Sequence, residues 1–234
     1  MSRGKTSISF LPPGFAVEQS RRQGNRPPRR NILIVCEGTK TEPNYFEAFR
    51  KKLVGGEGDR VEVIGLGDNT LSLVEKAREL VEARRRSDKP PFYFVWVVFD
   101  KDDFPDSHFD NAILTIAQED EKFKAGECPH WYAAWSNEAF ELWYLLHFRD
   151  ALGGPKSRFE LCEMLSEHFK ADLGIPDGYH KNDPMIFDLL YARMDYALVR
   201  AECAFARWDP STPPHLCNPA SRVFELVKFL RLYS

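Results

Sequence analysis

The sequence is poor in several features that would narrow its class quickly. Its 234 residues include five cysteines, Cys36, Cys128, Cys162, Cys203 and Cys217, scattered, odd in number and without a CxxC pair. A disulfide scaffold and a zinc knuckle are thereby excluded, and a reducing, cytoplasmic setting is expected. No apolar run exceeds the eight residues Phe92–Phe99, far short of the roughly 18 that a membrane helix requires, so no membrane association is expected. The first residues lack the apolar stretch of a secretory signal. The six histidines form no HxH or HxxxH pair, which removes the common histidine metal motifs. Gly65-Leu66-Gly67-Asp68-Asn69 lacks the spacing of a dinucleotide fingerprint and reads as a tight turn. There is no serine or tyrosine nucleophile motif, although Tyr45 and Tyr179 remain as hydroxyl candidates, and there is no internal repeat.

What is present is core material and an uneven charge. Apolar residues make up 43% of the chain and include 18 Phe and 5 Trp, enough for a packed interior. Trp131, Trp135, Trp143 and Trp208 read as core residues rather than base-stacking platforms. The net charge of −3 divides into +6 on residues 1–30 and −9 on residues 31–234. The basic segment also carries Pro12, Pro13, Pro27 and Pro28. It is read as a mobile arm, either solubilising or a non-specific phosphate contact.

Regular structure is expected from Asn31 onward. Asn31–Cys36, apolar from Ile32 on, is a strand of the kind a parallel sheet buries on both faces. Thr39 with Glu42, and Pro43 in the first turn, predict a helix from Thr41 to Leu53 that opens with a capping box. Val61–Leu66 reads as a strand, Leu71–Arg86 as an amphipathic helix, and Phe92–Phe99 as the strongest strand. A helix over Asp110–Lys124, a strand at His130–Trp135 and a helix from Ser136-Asn137 to His147 follow. Strands alternating with helices predict an α/β fold with a parallel sheet. Beyond Gly153-Gly154 the pattern is helical over 158–170, 184–206 and 219–232. The organisation expected is an arm (1–30), an α/β core (31–150) and a helical elaboration packed on it (151–234).

Open parallel sheets place their sites outside the carboxyl ends of the strands. There the first strand offers Glu37, the third Asp100-Lys101-Asp102-Asp103, and the fourth Ser136-Asn137-Glu138. If the first and third strands are neighbours, Glu37 approaches Asp100 and Asp102. Residues two apart in extended chain point the same way, so the two aspartates share a focus and Lys101 does not. Two unit charges about 4 Å apart repel by about 4 kcal/mol at an effective dielectric near 20. A shared proton or a hard cation is the way out, and Mg²⁺ takes such oxygen ligands. Around this focus, Lys40, Asp103, Asn137, Glu138 and Glu141 are candidates for supporting the metal or the substrate. Lys181, in Tyr179-His180-Lys181-Asn182, is the candidate cation for a substrate phosphate, and His108 is close enough in sequence to approach the metal. Glu42 has the competing role of capping-box acid, and Glu138 and Glu141 that of two acids on one helix face.

These residues resemble a known family. The order Ile32–Cys36, Glu37-Gly38…Thr41-Glu42, Phe99-Asp100-Lys101-Asp102 is similar to the Toprim domain of topoisomerases, primases and overcoming-lysogenization-defect nucleases. A closer similarity is to the RloB/AbiL-type Toprim-like proteins of bacterial phage-defence loci. It is carried by CEGTKTEPNYF at 36–46, FDKDDF at 99–104, SNEAFELWYLLHF at 136–148 and Asn218-Pro219-Ala220-Ser221. The resemblance implies a Toprim-like sheet, with Glu37 as a metal-proximal or acid–base glutamate and Asp100 and Asp102 as metal aspartates. Glu42 falls near a second family acid, but the Glu-Gly-Thr-Lys-Thr-Glu spacing is one residue longer than that pattern. It further implies Mg²⁺- or Mn²⁺-dependent cleavage of DNA or RNA, tRNA included, by an effector of abortive infection linked to a partner ATPase. Nucleic acid is thus the expected partner, with self-association left open. The alternatives are a non-catalytic partner or sensor of that ATPase, and a metal-dependent phosphatase or nucleotide-processing enzyme.

Overall fold

The computed structural model describes residues 30–53, 60–67, 70–103, 105–124, 129–151 and 153–232. Residues 1–29 of the basic arm, Cys128 and the Asp68-Asn69 end of the glycine turn lie outside them. The first half of the chain alternates as expected: β1 (Asn31–Cys36), α1 (Thr41–Lys52), β2 (Val61–Gly65), α2 (Thr70–Arg85), β3 (Phe92–Asp100), α3 (Asp106–Lys124) and β4 (His130–Asn137). The second half is α4 (Glu141–Leu145), α5 (Arg158–Leu173), α6 (Ile186–Tyr191), α7 (Met194–Phe205), β5 (Ala220–Ser221) and α8 (Val223–Arg231).

The strands form one sheet in the order β2-β1-β3-β4-β5. The first four are parallel, and β5 runs antiparallel to β4. Period-2 alternation sends the side chains of β1 and β3 to opposite faces. Ile32, Ile34, Cys36, Phe94, Trp96 and Val98 join one core with α1 and with the helices from α4 onward. Leu33, Val35, Val95, Val97 and Phe99 join the other core with α2 and α3. Both faces are therefore dry, which is why these strands read as unbroken apolar runs. Cys36 is a fully buried packing residue whose thiol is pushed well up by burial. Trp131, Trp135 and Trp143 are buried, and Trp208 packs against the second core. Among the described residues, no helix is long and apolar enough to cross a membrane.

From the end of β4 onward the chain departs from its sequence reading at three points. The strand expected to end at Trp135 continues to Asn137, and only a short helix follows, from Glu141. Asn218–Ser221, read as a helix start, instead enters β5 through a cis Asn218–Pro219 bond. The two differences have one cause. Ser136 bonds Ser221 side chain to side chain (3.2 Å), and the Asn137 carboxamide donates to the carbonyls of Pro214 (3.2 Å) and His215 (2.8 Å). Polar residues at the end of β4 are thus satisfied by a segment about 80 residues away in sequence. The helix expected over 184–206 breaks at Arg193 into α6 and α7.

Candidate functional site

β1 and β3 are direct neighbours, with Cys36 opposite Val98, so their carboxyl ends open into one cleft. As the chain leaves β1, three hydrogen bonds clamp Glu37. Its N–H donates to the Val98 carbonyl (2.9 Å), its carbonyl accepts from the Gly67 N–H (2.8 Å), and its carboxylate accepts from the Asp100 N–H (3.1 Å). The end of β2 lies hard against this turn. A Cβ on Gly65 would stand 2.5 Å from the Gly38 carbonyl oxygen, which accounts for a glycine there.

The expected capping box of α1 does not form. Lys40 occupies the N-cap without a side-chain bond. Glu42 instead turns its carboxylate into the cleft, where it is 6% exposed and takes the N–H groups of Gly38 and of Glu42 itself. Gly38 leaves room for it, since a Cβ there would collide with that carboxylate. Burial pushes the Glu42 carboxyl up, the negative charge of Glu141 adds to this, and Lys181 partly offsets it.

Asp100 is the last residue of β3. One carboxylate oxygen accepts from the Phe140 N–H (3.0 Å); the other, Oδ1, is sealed from solvent and has no hydrogen-bond partner among the described residues. Burial raises its carboxyl well above the usual range, and the charges of Glu42, Glu141 and Glu37 push the same way. Asp102 reaches the cleft by a different route from the extended-chain alternation expected. The strand stops at Asp100, and Asp102 sits in a turn at φ +41°. Its N–H is held by the Glu138 carbonyl (3.0 Å) and its carboxylate pairs with Arg158. Lys101 does turn away, to Asp106 on α3 (3.0 Å).

The two acids expected on one helix face are separated. Glu138 lies in the turn between β4 and α4, beyond a cis Asn137–Glu138 bond. With Asp102 and the exposed Asp103 it forms an outer group whose carboxylate oxygens lie within 4.8 Å of one another. Partial burial raises the Glu138 carboxyl, and Asp103 adds to it. Glu141 opens α4 and is 1% exposed; it accepts from the Tyr179 hydroxyl (3.0 Å) and pairs with Lys181 (3.6 Å). Asn137 faces the 214–215 carbonyls, so its contribution is to fasten the end of β4.

The cleft, of about 480 Å³, brings together Glu37, Glu42, Asp100, Asp102 and Glu141, with Lys40, Arg158 and Lys181 as cations. Besides Asn137 and Glu138, three residues considered from sequence lie elsewhere. His108 is exposed on α3 and does not line the cleft, Tyr45 is buried in the core with its hydroxyl on the Met194 sulfur (3.6 Å), and Asp103 stands on the outer rim. The sequence reading missed Arg158. The signal existed: Ser157 and Glu160 form a full capping box that fixes the start of α5 at Arg158. Arg158 is engaged by Asp102 and Lys181 by Glu141, while the charges of Glu42, Glu141 and Glu37 all bear on Asp100. A proton or a hard cation relieves such a group, and an all-oxygen donor set suits Mg²⁺ or Mn²⁺.

The fold and cleft define an open α/β protein with an acidic, oxygen-lined site at the carboxyl edge of its parallel strands. The family model described as RloB-like protein matches residues 32–230, and the chain belongs to that family. No curated protein and no solved structure matches it.

Proposed function

We propose that this cleft hydrolyses phosphodiester bonds in nucleic acid with a divalent cation, Mg²⁺ or Mn²⁺, and that the protein acts in this way as an effector of antiviral defence. The observation that carries the reading is Asp100, whose Oδ1 is sealed among Glu37, Glu42 and Glu141 with no hydrogen-bond partner among the described residues. Glu37, Asp100 and Asp102 would hold the cation, with Glu42 beside them. Once bound, it would supply positive charge for the phosphate oxygens and make a water easier to deprotonate. The chain's own groups then have distinct tasks. Glu37, steadied by the Asp100 N–H, takes the proton of the attacking water. Arg158 and Lys181 can exchange their carboxylate partners for a substrate phosphate. The start of α1 at Lys40 is favourable for an anion. The defence role rests on the motif resemblance together with family membership.

The test is cleavage of DNA, bulk RNA, tRNA and mononucleotides with Mg²⁺ or Mn²⁺ and with EDTA. Cleavage of a polynucleotide that needs the cation is expected, with a fall of at least about 100-fold in Glu37→Gln and Asp100→Asn. Cleavage or cell toxicity that persists in folded variants would remove the catalytic reading. Cation binding with no cleavage of any substrate would turn it toward a non-catalytic partner of an ATPase.

A further inference from the structure

Helix α7 has two unlike faces. Met194, Ala197, Leu198, Ala201 and Ala204 are buried, and the helix packs on α4, β5 and α8. The opposite side carries Tyr196 at 63% exposure, Val199 at 61%, and the exposed Cys203. Ala206, exposed at the C-cap of α7, continues the alternation of three and four residues; Ala192, which keeps the spacing in sequence, caps α6 on the other side of the break at Arg193. Single exposed apolar side chains are ordinary on protein surfaces. A row of them with a mean repeat of about 3.5 residues is the seam that two supercoiling helices share.

The flanks of the row are charged in a pattern that selects an orientation. One flank carries Arg200, with Arg193 at the N-cap and Arg207 just past the C-cap, and the other carries Asp195 and Glu202. Each acid precedes an arginine by five residues, Asp195 before Arg200 and Glu202 before Arg207. In a parallel pair of helices, that is the offset at which one flank meets the opposite flank of its partner. In an antiparallel pair each flank would meet its own kind, arginine on arginine and acid on acid. These side chains already have partners within the chain: Asp195 with Arg231, Glu202 with Lys228, and Arg200 with Asp150 and the Leu146 carbonyl. Those ion pairs tie the helix to neighbouring elements, while the Arg200 guanidinium also lies over the Tyr196 ring, 5.5 Å from its centroid. The Asp195 side chain stays 81% exposed, so its carboxylate can accept a second cation.

We infer that α7 is a self-association surface, through which two copies of this chain pair in parallel about a twofold axis with Tyr196, Val199 and Cys203 at the seam. The occupant is a second copy because the two flanks complement each other without any outside partner. A stable interface buries about 1,200–2,000 Å². Two 12-residue helices cover less, so the dimer is weak. The inference does not depend on the chemistry proposed for the cleft.

The test is sedimentation equilibrium of the full chain over a wide concentration range, in reducing buffer. A monomer–dimer equilibrium with a Kd on the order of 10–100 µM is expected, and Val199→Glu should weaken it at least about tenfold without changing the circular dichroism. In a second measurement, copper-phenanthroline with oxygen as oxidant should join two Cys203 thiols into a disulfide-linked dimer, absent in Cys203→Ser. A monomer at every concentration, or a dimer indifferent to Val199→Glu, overturns the surface. A dimer that responds to Val199→Glu but never links through Cys203 overturns the parallel pairing.

Discussion

Asp100 is held where burial and three neighbouring carboxylates all oppose its charge. Its one fixed partner, the Phe140 N–H, favours the ionised form but is outweighed. Asp100 and Glu42 both have raised pKa values in the folded chain. The native state therefore holds their protons more tightly than the unfolded state does. The stability from these groups is fully present below the ordinary carboxylate pKa and is lost as pH rises through the raised values. A cation in the cleft would offset this loss at neutral pH and would itself be displaced by protons in acid. Asp100→Asn removes the charge while keeping an acceptor for the Phe140 N–H, and it gives the unpaired position an N–H₂ facing carboxylates. The expected outcome is a metal-free variant more stable than the parent at neutral pH by roughly 1–2 kcal/mol, several degrees in Tm. Mg²⁺ or Mn²⁺ should raise the Tm of the parent and not that of the variant. Thermal unfolding with and without cation reads both effects, and a variant that is less stable, or that still responds to the ion, contradicts this account.

At the level of elements, the cleft depends on how closely β2 approaches the turn after β1. Gly65→Ala would set a Cβ 2.5 Å from both the Gly38 carbonyl oxygen and the Pro43 ring. Backbone and a proline ring cannot swing aside, so a cost of about 2–4 kcal/mol is expected, together with weaker cation binding as the Glu37 turn is displaced. Gly154→Ala, with nothing within 4 Å of the added carbon, is the matched control and should be close to neutral. Urea midpoints of the two variants check the contrast, and equal shifts would show that the close approach does not matter. The same elements show what was legible in the sequence. β1 and β3 are unbroken apolar runs because both faces are dry, and Glu37 and Asp100 stand out as the acids that end them. Glu42 was visible but ambiguous, because a Thr-x-x-Glu spacing serves a cap as well as a cleft, and only the position of Gly38 decides between the two. The end of β4, β5 and the break at Arg193 were not legible. Ser136 and Asn137 carry no local sign that Ser221 and the 214–215 carbonyls will satisfy them, and Ala192-Arg193 contains neither glycine nor proline to announce a break.

Over the whole molecule, the charge of −3 is the sum of a +6 segment and a −9 body. The described chain begins at the amino edge of the sheet, where Arg30 lies over the Tyr93 ring at 4.2 Å from its centroid. The cleft opens at the carboxyl edge, about 20 Å away along a six-residue strand. The 29 residues that precede Arg30 could span at most about 100 Å, so reach does not limit contact between their cations and a polyanion in the cleft. The acidity of the body opposes a polyanion, and under the proposed function a metal and the cations at the cleft would be what receives it. The arm should therefore govern capture and the cleft should govern chemistry. Deleting residues 1–29 removes six basic side chains. If each meets a phosphate, the slope of log K against log salt becomes shallower by up to about 4–5, since each contact is worth about 0.7–0.9. Turnover at saturating substrate should change little in the deletion, and Asp100→Asn should leave the slope unchanged. Binding titrations of both proteins at several salt concentrations separate the two roles. An unaltered slope after deletion would mean that the arm touches no phosphate and that the acidic body captures its substrate through the cleft alone.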